Sequence, residues 1–294
     1  MTFTEIVFDT LTISQCQDSM LTVTSYIDEQ YYTIRHISIV NSPALTKIRF
    51  LSLPDVITLH TENINVADLD ISMLRNLEKL SCTYSGIESL YVANLKLVDL
   101  DCSHNKLTML ILNKELQTLD CSYNQLVDIE INNLHKLTTL NCSHNNLPNI
   151  KISNCINLHT LTCNNNNLED ISYDNLPALQ ILNCDNSKLT HLYLYNVSNL
   201  QYLDCADNYI DILNIKHLLS LKFLNCTNCN LKEIIFPQHI IKNLSLYVTD
   251  NIDLKLSTLS NEQILHLRNL TDNQLHIVNS IDKLSIYSYT SNTV

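Results

Sequence analysis

The cysteines are the residues of this 294-residue chain that could most readily do chemistry, and there are eleven of them. Metal binding requires thiolates that converge on one point. Most of these cysteines instead recur at one position of a repeated segment, which distributes them along a column. Free cysteine packs as a small hydrophobe and is among the most buried residue types. The spacing therefore predicts a buried ladder of thiols, with no metal and no cofactor, formed by Cys82, Cys102, Cys121, Cys142, Cys163, Cys184, Cys205 and Cys226.

The remaining three cysteines, Cys16, Cys155 and Cys229, are not members of the ladder and could have another role. Cys226 and Cys229 form a C-x-x-C, which is found in redox motifs and in half of a zinc site. The chain has no second C-x-x-C, and both residues fall on positions that we predict to face inward. A redox or metal-binding protein remains a separate hypothesis, which stoichiometric zinc in purified protein would support. Cys16 and Cys155 lie outside the ladder, and the sequence leaves open whether they are exposed and reactive.

Histidines and carboxylates could supply acid–base catalysis, but their spacing does not favour it. His104 and His144 occupy equivalent positions two repeats apart, and no nucleophile or oxyanion pocket accompanies Asp101 and Asp120. The only glycine, Gly86, excludes the glycine-rich loops that bind phosphates or present a nucleophile. We therefore predict that the protein is not an enzyme.

The charge and hydropathy of the chain limit its partners and location. Eighteen basic and thirty acidic residues give a formal charge of −12, which disfavours nucleic acid and anionic membrane surfaces. The sequence shows neither a secretory signal at its start nor an apolar run of about 18 residues that could span a bilayer. We expect an intracellular protein that could also act in the cytoplasm of a host cell.

A repeat of about 21 residues organises most of the chain. Eight consecutive copies follow the pattern L-x-x-L-x-C-x-x-N-x-L, and they begin at Leu77, Leu97, Leu116, Leu137, Leu158, Leu179, Leu200 and Leu221. The L-x-C alternation places leucine and cysteine on one face of a short strand. A second alternation follows in pairs such as Leu90/Val92, Leu110/Leu112, Ile129/Ile131, Ile150/Ile152 and Leu192/Leu194. Each turn should thus carry a strand on its front and another on its back, with no room for a helix.

The repeats cannot fold singly and must stack. We predict an all-β or mostly β solenoid with parallel strands on front and back and few or no helices. It should be one continuous domain with a degenerate N-terminal cap at 1–33, a solenoid at 34–246 and degenerate C-terminal repeats or a cap at 247–294. The segment 25–32, SYIDEQYY, interrupts the pattern and is predicted to be an inserted loop.

These repeats resemble the leucine-rich repeat family, in particular short, nested repeats of large insect DNA viruses and of bacteria. The resemblance covers most of the chain and implies a protein-binding scaffold. The ninth position of the repeat predicts a ladder of asparagines that satisfy backbone groups of neighbouring turns. Its members are Asn105, Asn124, Asn145, Asn166 and Asn208, and it is interrupted at Ser85, Ser187 and Cys229.

The outward side chains of the front strands form the most informative surface. Most are polar or acidic, but three successive turns place Ile181, Tyr202 and Phe223 at the third position. Exposed aromatic residues within a polar rim are typical anchors of protein interfaces. The alternative is that Gln201 and Lys222 cover these side chains. We predict a partner-binding site formed by Ile181, Tyr202, Phe223, Asn183, Asp204, Asn225, Asp101 and Asp120.

Two classes of function follow from this surface. The first is a non-enzymatic, monomeric recognition scaffold that binds another protein. The family resemblance implies that this binding could serve interaction with a host. The second is a structural or assembly protein that associates through the ends of the solenoid, because open strand edges invite pairing.

Overall fold

The computed structural model describes residues 3–27, 29–237, 244–248, 265–268 and 285–286. The chain divides into two compact units, Met1–Leu147 and Pro148–Val294. Every regular element among the described residues is a β-strand, and none of these residues is helical. The predicted class, a mostly β solenoid of parallel strands, is confirmed.

The front sheet of the first unit is built from the alternating L-x-C segments and their degenerate counterparts nearer the N-terminus. Its first strand runs antiparallel to the second, and all later neighbours are parallel and in register. Numbered in chain order, the strands are β1 (Phe3–Val7), β2 (Thr10–Ser14), β6 (His36–Ser42), β8 (Thr58–Ile64), β9 (Lys79–Thr83), β10 (Asp99–Asp101), β11 (Thr118–Asp120) and β13 (Thr139–Asn141).

The remaining strands of the first unit lie outside the front sheet. β3 (Met20–Thr24) and β7 (Lys47–Leu51) pair in parallel. β4 (Tyr26–Ile27) and β5 (Gln30–Tyr31) form a short antiparallel hairpin within the predicted insertion, and β12 (Glu130–Asn132) lies in the back segment of the turn that begins at Leu116. The insertion is therefore a hairpin, which leaves the parallel stacking of β2 on β6 intact.

The second unit repeats the arrangement with shorter strands. Its front strands are parallel neighbours in the order β15 (Thr160–Thr162), β17 (Ile181–Asn183), β18 (Tyr202–Asp204), β20 (Phe223–Asn225), β22 (Leu244–Tyr247), β23 (Leu265–Arg268) and β24 (Ser285–Ile286). On the back, two parallel pairs form, β14 (Asn149–Ser153) with β16 (Asp170–Tyr173) and β19 (Ile212–Asn214) with β21 (Glu233–Ile235). Most of the predicted C-terminal cap, 247–294, lies outside the described residues, apart from 247–248, 265–268 and 285–286.

The prediction of a back strand in every turn was wrong for three turns. Leu90 and Val92 are buried, but that segment forms only isolated bridges, between Asp68 and Ser89 and between Tyr91 and Ile111. The turns that begin at Leu77 and Leu97 are shorter than the later 21-residue turns, and the missing residues lie between the apolar pair of the back segment and the next front strand.

The third exception is the segment around Tyr193, which is not a strand although its leucines are buried. Leu192 and Leu194 face the core as predicted. The carbonyl oxygen of Tyr193 accepts a hydrogen bond from the hydroxyl of Tyr173. This carbonyl thus has a side-chain donor, which the apolar alternation alone could not indicate.

The cysteine column forms the centre of the core, as predicted. All eleven cysteines are buried free thiols, including Cys16 and Cys155. Several ladder thiols also donate to a carbonyl of the next turn, as Cys121 Sγ does to Asn141 O at 3.5 Å and Cys163 Sγ to Asn183 O at 3.4 Å. The open question about Cys16 and Cys155 is therefore answered: neither is exposed.

The asparagine ladder is confirmed, and its chemistry is explicit at Asn105. Its Nδ2 donates to the carbonyl oxygens of Cys82 at 2.6 Å and Cys102 at 3.0 Å, and its Oδ1 accepts from the backbone N–H of Ser85 at 3.1 Å and of Ile87 at 3.0 Å. One amide therefore satisfies donors and acceptors of two successive turns. Such satisfaction matters because an unpaired buried polar group is costly.

The three interruptions of the ladder differ in how well they replace the amide. Ser85 Oγ donates to Thr83 O at 2.8 Å, and Cys229 Sγ donates to Cys205 O at 3.1 Å. Ser187 Oγ is buried and has no hydrogen-bond partner among the described residues. All three turns nevertheless keep their front strands.

Restoring the amide at the last interruption should stabilise the protein. In Cys229→Asn, we expect Nδ2 to reach the carbonyls of Cys205, Cys226 and Thr227, as Asn208 reaches their counterparts one turn earlier. Each net hydrogen bond contributes about 0.5–1.5 kcal/mol, so the free energy of unfolding should rise by about 1–2 kcal/mol. Urea unfolding measures this. Cys229→Ser, which is too short for these bonds, serves as the control, and an equal gain in both variants would contradict the interpretation.

Candidate protein-binding face

The three apolar side chains predicted to form a patch are brought together on the front of the second unit. Strand register places Ile181 opposite Tyr202, and Tyr202 opposite Phe223. The rings of Tyr202 and Phe223 are stacked with centroids 4.4 Å apart and planes within 1°. Ile181 is 40% exposed, and both rings are half-buried. We call these three residues the front patch.

A fourth side chain, Tyr247, extends this surface and was not found from the sequence. Its ring lies 5.0 Å from that of Phe223 at an interplanar angle of 40°. In this turn the third position of the repeat, opposite Phe223, is occupied by Ser245. The repeat pattern therefore did not indicate an aromatic residue beside Phe223. Tyr247 is instead opposite Asn225, and only the strand register reveals that its ring reaches Phe223.

The polar neighbours predicted beside the front patch lie in register along its edge. Asn183, Asp204 and Asn225 are directly opposite one another on successive strands and half-buried. Asp204 accepts from Asn225 Nδ2 through Oδ2 at 3.1 Å and from the backbone N–H of Ala206 through Oδ1 at 3.2 Å. These bonds hold the carboxylate in a fixed position next to the stacked rings.

Two further carboxylates, Asp185 and Asp207, make this edge strongly acidic. Burial, together with the charges of Asp204 and Asp207, raises the pKa of Asp185. Burial and the carboxylates of Asp204 and Asp185 also raise the pKa of Tyr202. None of the ion pairs among the described residues involves any of these three aspartates. The front patch is therefore bordered by negative charge that this part of the chain does not neutralise.

Removing one of these charges should stabilise the protein at neutral pH. A raised pKa means that folding disfavours the ionised form of Asp185, so its cost is present at pH 7 and disappears as the pH falls below the ordinary value of 3.8. Allowing for solvent screening, Asp185→Asn should raise the free energy of unfolding by about 0.5 kcal/mol at pH 7.

The difference in the free energy of unfolding between Asp185→Asn and wild type should vanish as the pH falls below 3.8. Thermal melts at several pH values would show this. Asp174→Asn, which removes an exposed carboxylate from the same unit, is the matched control. A gain that persists unchanged at low pH would argue against electrostatic repulsion as its cause.

The other two predicted site residues, Asp101 and Asp120, lie in the first unit. They are opposite each other on β10 and β11. Each is held by the serine two residues later, with Ser103 donating to Asp101 Oδ1 from N at 3.0 Å and from Oγ at 2.7 Å. Ser122 does the same for Asp120 at 2.9 and 2.6 Å. The front of the first unit therefore carries its own pair of fixed carboxylates.

The histidines rejected as a catalytic pair prove to be members of one aromatic stack. In the first unit, the rings of Tyr84, His104, Tyr123 and His144 follow one another with centroids 4.1, 4.2 and 3.9 Å apart and interplanar angles of 10–13°. We call these four residues the aromatic column. All occupy the eighth position of their repeats, so the sequence did contain the signal, but the histidines were considered without the tyrosines that intervene.

The thiols in the described part of the chain are spread along a column, and their pKa values differ in direction. No group of three or more histidines, cysteines or acids there is arranged to hold a metal ion. Burial raises the pKa of Cys142 to about 12, and burial also raises the pKa of the Cys226 thiol. Since the thiolate is the reactive form, Cys142 and Cys226 are held in the unreactive thiol form at neutral pH. At Cys229 the shift is opposite, because a side-chain hydrogen bond with Cys205 lowers the pKa of its thiol. No helix among the described residues is long and apolar enough to cross a membrane.

Comparison with known proteins supplies structural neighbours only. No protein-family model matches the chain, and no curated protein matches it significantly. A solved structure of the functional domain of InlJ from Listeria monocytogenes, which includes a cysteine ladder, is similar with a TM-score of 0.61 and 26% identity. The match covers 72% of this chain and 49% of that domain, so this chain spans about half of its length.

Two further neighbours share the fold at lower identity. An internalin, InlF, from Listeria monocytogenes has a TM-score of 0.61 and 18% identity, with 97% of this chain and 87% of that one covered. YopM, a leucine-rich effector protein from Yersinia pestis, has a TM-score of 0.50 and 22% identity, with 85% and 83% covered. Together with the repeat pattern, the inward thiols and the parallel stacking, these likenesses show that the chain has the leucine-rich repeat fold with a cysteine ladder.

Proposed function

We propose that this protein is a non-enzymatic scaffold that recognises another protein through the front face of its second unit. The observation that carries the proposal is the front patch, where two stacked rings and an exposed isoleucine lie beside uncompensated carboxylates. Large aromatic side chains with a polar rim supply the anchors of many protein interfaces. Leucine-rich repeat proteins generally serve as binding scaffolds, which agrees with this assignment.

The electrostatics of the patch define the chemistry of the partner. Asp185 is held close to Asp204 and Asp207 although this raises its pKa and costs stability. A positive charge from a partner would relieve that repulsion. The partner segment should therefore present an apolar side chain to the rings and an arginine or lysine to the carboxylates. Asp101 and Asp120 extend the preference for a basic partner to the first unit.

We extend the proposal to a protein of a host organism as the partner. It is supported by the bacterial neighbours, one of which, YopM, is described as an effector protein. The eleven free thiols suit a reducing compartment, since disulfides form in oxidising ones. We propose that the protein acts inside a cell, including the cytoplasm of a host.

The experiment that tests the site is the double substitution Tyr202→Ser and Phe223→Ser. Hot-spot residues each contribute about 2 kcal/mol or more, so a partner captured by the wild type should bind the variant at least 100-fold more weakly. Both rings are half-buried rather than core residues, so the variant should stay folded. Isothermal titration with the captured partner gives the affinity.

A control removes an exposed aromatic ring elsewhere in the same unit. Tyr195 is 53% exposed and lies in the back segment of its turn. Tyr195→Ser should bind the partner as the wild type does. Unchanged binding by the double variant, with a melting profile that shows it folded, would place the interface elsewhere.

An assembly protein that associates end to end is the second candidate, favoured by one observation. β1 is the outermost strand of the front sheet of the first unit, and β2 is the strand that pairs with it. An unpaired strand edge can template another chain. Light scattering separates the two functions, because the scaffold should have a constant monomeric mass over a wide concentration range, whereas end-to-end assembly should increase the mass with concentration.

A further inference from the structure

The aromatic column stands at a backbone position where aromatic residues are unfavourable. The eighth position of each turn is left-handed, with φ of 49° at Tyr84 and 53° at Tyr123. There the Cβ crowds the following carbonyl oxygen, and asparagine, aspartate and histidine tolerate it better than tyrosine does. Most of the other turns follow this preference, with Asn41, Asn63, Asn165, Asn186, Asp207 and Asn228 at the same position, and Gln15 departs from it.

Asparagine side chains at this position also form hydrogen bonds with one another from turn to turn. Asn63 Nδ2 donates to Asn41 Oδ1 at 3.1 Å, and in the second unit Asn186 Nδ2 donates to Asn165 Oδ1 at 2.6 Å. A hydrogen-bonded amide column thus needs no strained tyrosine. The backbone conformation therefore does not account for Tyr84 and Tyr123, which alternate with two histidines over four successive turns.

The column is exposed and carries hydrogen-bonding groups on its outer edge. Tyr84 is 55% exposed and Tyr123 45%, and the two histidines are partly exposed. Burial and the neighbouring His104 lower the pKa of His144, so its imidazole is neutral at pH 7 and offers a lone pair. Ring faces within the stack are occupied, which leaves ring edges, phenol oxygens and imidazole nitrogens for a ligand.

Fixed carboxylates run beside the column at the same one-turn spacing. Asp101 lies three residues before His104, and Asp120 three residues before Tyr123, each pinned by the intervening serine. Neither forms an ion pair within the described residues. The first unit therefore presents a row of acceptors next to a row of negative charges.

We propose that the aromatic column and the carboxylates of Asp101 and Asp120 form a second recognition surface, which binds an arginine-rich extended segment of a partner protein. Arginine has five N–H donors and no acceptor, so its planar group can pair with the carboxylates and donate to the phenol oxygens and imidazole nitrogens at the edge of the column. An extended segment with several arginines can place them at regular intervals, and this surface offers acceptor groups at every turn. This surface lies wholly in the first unit and does not depend on the front patch.

The test uses a fluorescent synthetic peptide of alternating arginine and serine, with lysine and glutamate versions for comparison. Binding is measured by fluorescence anisotropy at about 0.1 M salt, where surface charges more than about 10 Å apart are largely screened. We expect the arginine peptide to bind tightest and the glutamate peptide not to bind. Tyr84→Asn with Tyr123→Asn should weaken the arginine peptide at least tenfold while the protein stays folded. Asp101→Asn with Asp120→Asn should weaken it to a similar degree.

Matched variants in the same unit separate this surface from general attraction to an acidic protein. Asp128→Asn with Glu130→Gln removes two exposed charges from the back of the same unit, and Tyr91→Asn removes a ring that is 56% exposed. Both should bind the arginine peptide as the wild type does. The proposal is overturned if the wild type does not bind this peptide, if the column variant binds it unchanged, or if the charge control weakens it as much as the loss of Asp101 and Asp120.

Discussion

Replacement of Asn145 with alanine is expected to lower the free energy of unfolding by about 3 kcal/mol or more, because it leaves several buried polar groups unpaired. The amide of Asn145 donates to the carbonyls of Cys121 at 3.0 Å, Cys142 at 3.1 Å and Ser143 at 3.2 Å. Its Oδ1 accepts from the backbone N–H of Leu126 at 2.9 Å. These groups belong to two successive turns, so the loss should weaken their stacking directly.

The neighbouring asparagine provides a matched control for this prediction. Asn146 has the same side chain one residue later but is exposed, and its backbone N–H bonds to Leu126 O whatever the side chain. Asn146→Ala should change the stability by about 0.5 kcal/mol or less. Urea unfolding of both variants measures the contrast, and equal losses would show that the asparagine ladder does not hold the turns together.

The second large effect is expected from Leu182→Ala on β17. Leu182 is fully buried, whereas the residues on either side of it in the strand, Ile181 and Asn183, are exposed and half-buried. It is in register with Leu161 and Leu203. Truncating a core leucine to alanine creates a cavity and costs about 2–5 kcal/mol. Thermal or urea unfolding should show this loss.

The adjacent Ile181 tests whether the strand faces are assigned correctly. It points outward and is 40% exposed, so Ile181→Ala should cost about 1 kcal/mol or less. The one-residue step from Leu182 to Ile181 thus changes the expected cost severalfold. A comparable loss in both variants would mean that this strand does not separate core from surface as described.

The fold was largely predictable because its determinants are local and repeated. The period, the L-x-C alternation and the asparagine at the ninth position each recur in successive turns, and the thiols and amides lie where these patterns place them. The back strands were less predictable. An apolar alternation shows that Leu192 and Leu194 face the core but not whether the backbone pairs, and at Tyr193 the carbonyl accepts from the hydroxyl of Tyr173.

The candidate surfaces were predictable only in part, for a similar physical reason. Ile181, Tyr202 and Phe223 share one repeat position, so their juxtaposition follows from the period. Tyr247 joins them from a different repeat position, through the register of β22. The crowding of Asp185 depends on side-chain burial and on two neighbouring carboxylates, and neither can be measured from a repeat pattern.

The measurement that tests the central claim most directly is a selection of random peptides displayed on phage against the immobilised protein, with the Tyr202→Ser and Phe223→Ser variant as the parallel target. If the front patch recognises proteins, the wild type should enrich peptides that combine an apolar residue with a nearby arginine or lysine, and the variant should not retain them. Peptides that bind both proteins equally, or that are predominantly acidic, would contradict the account.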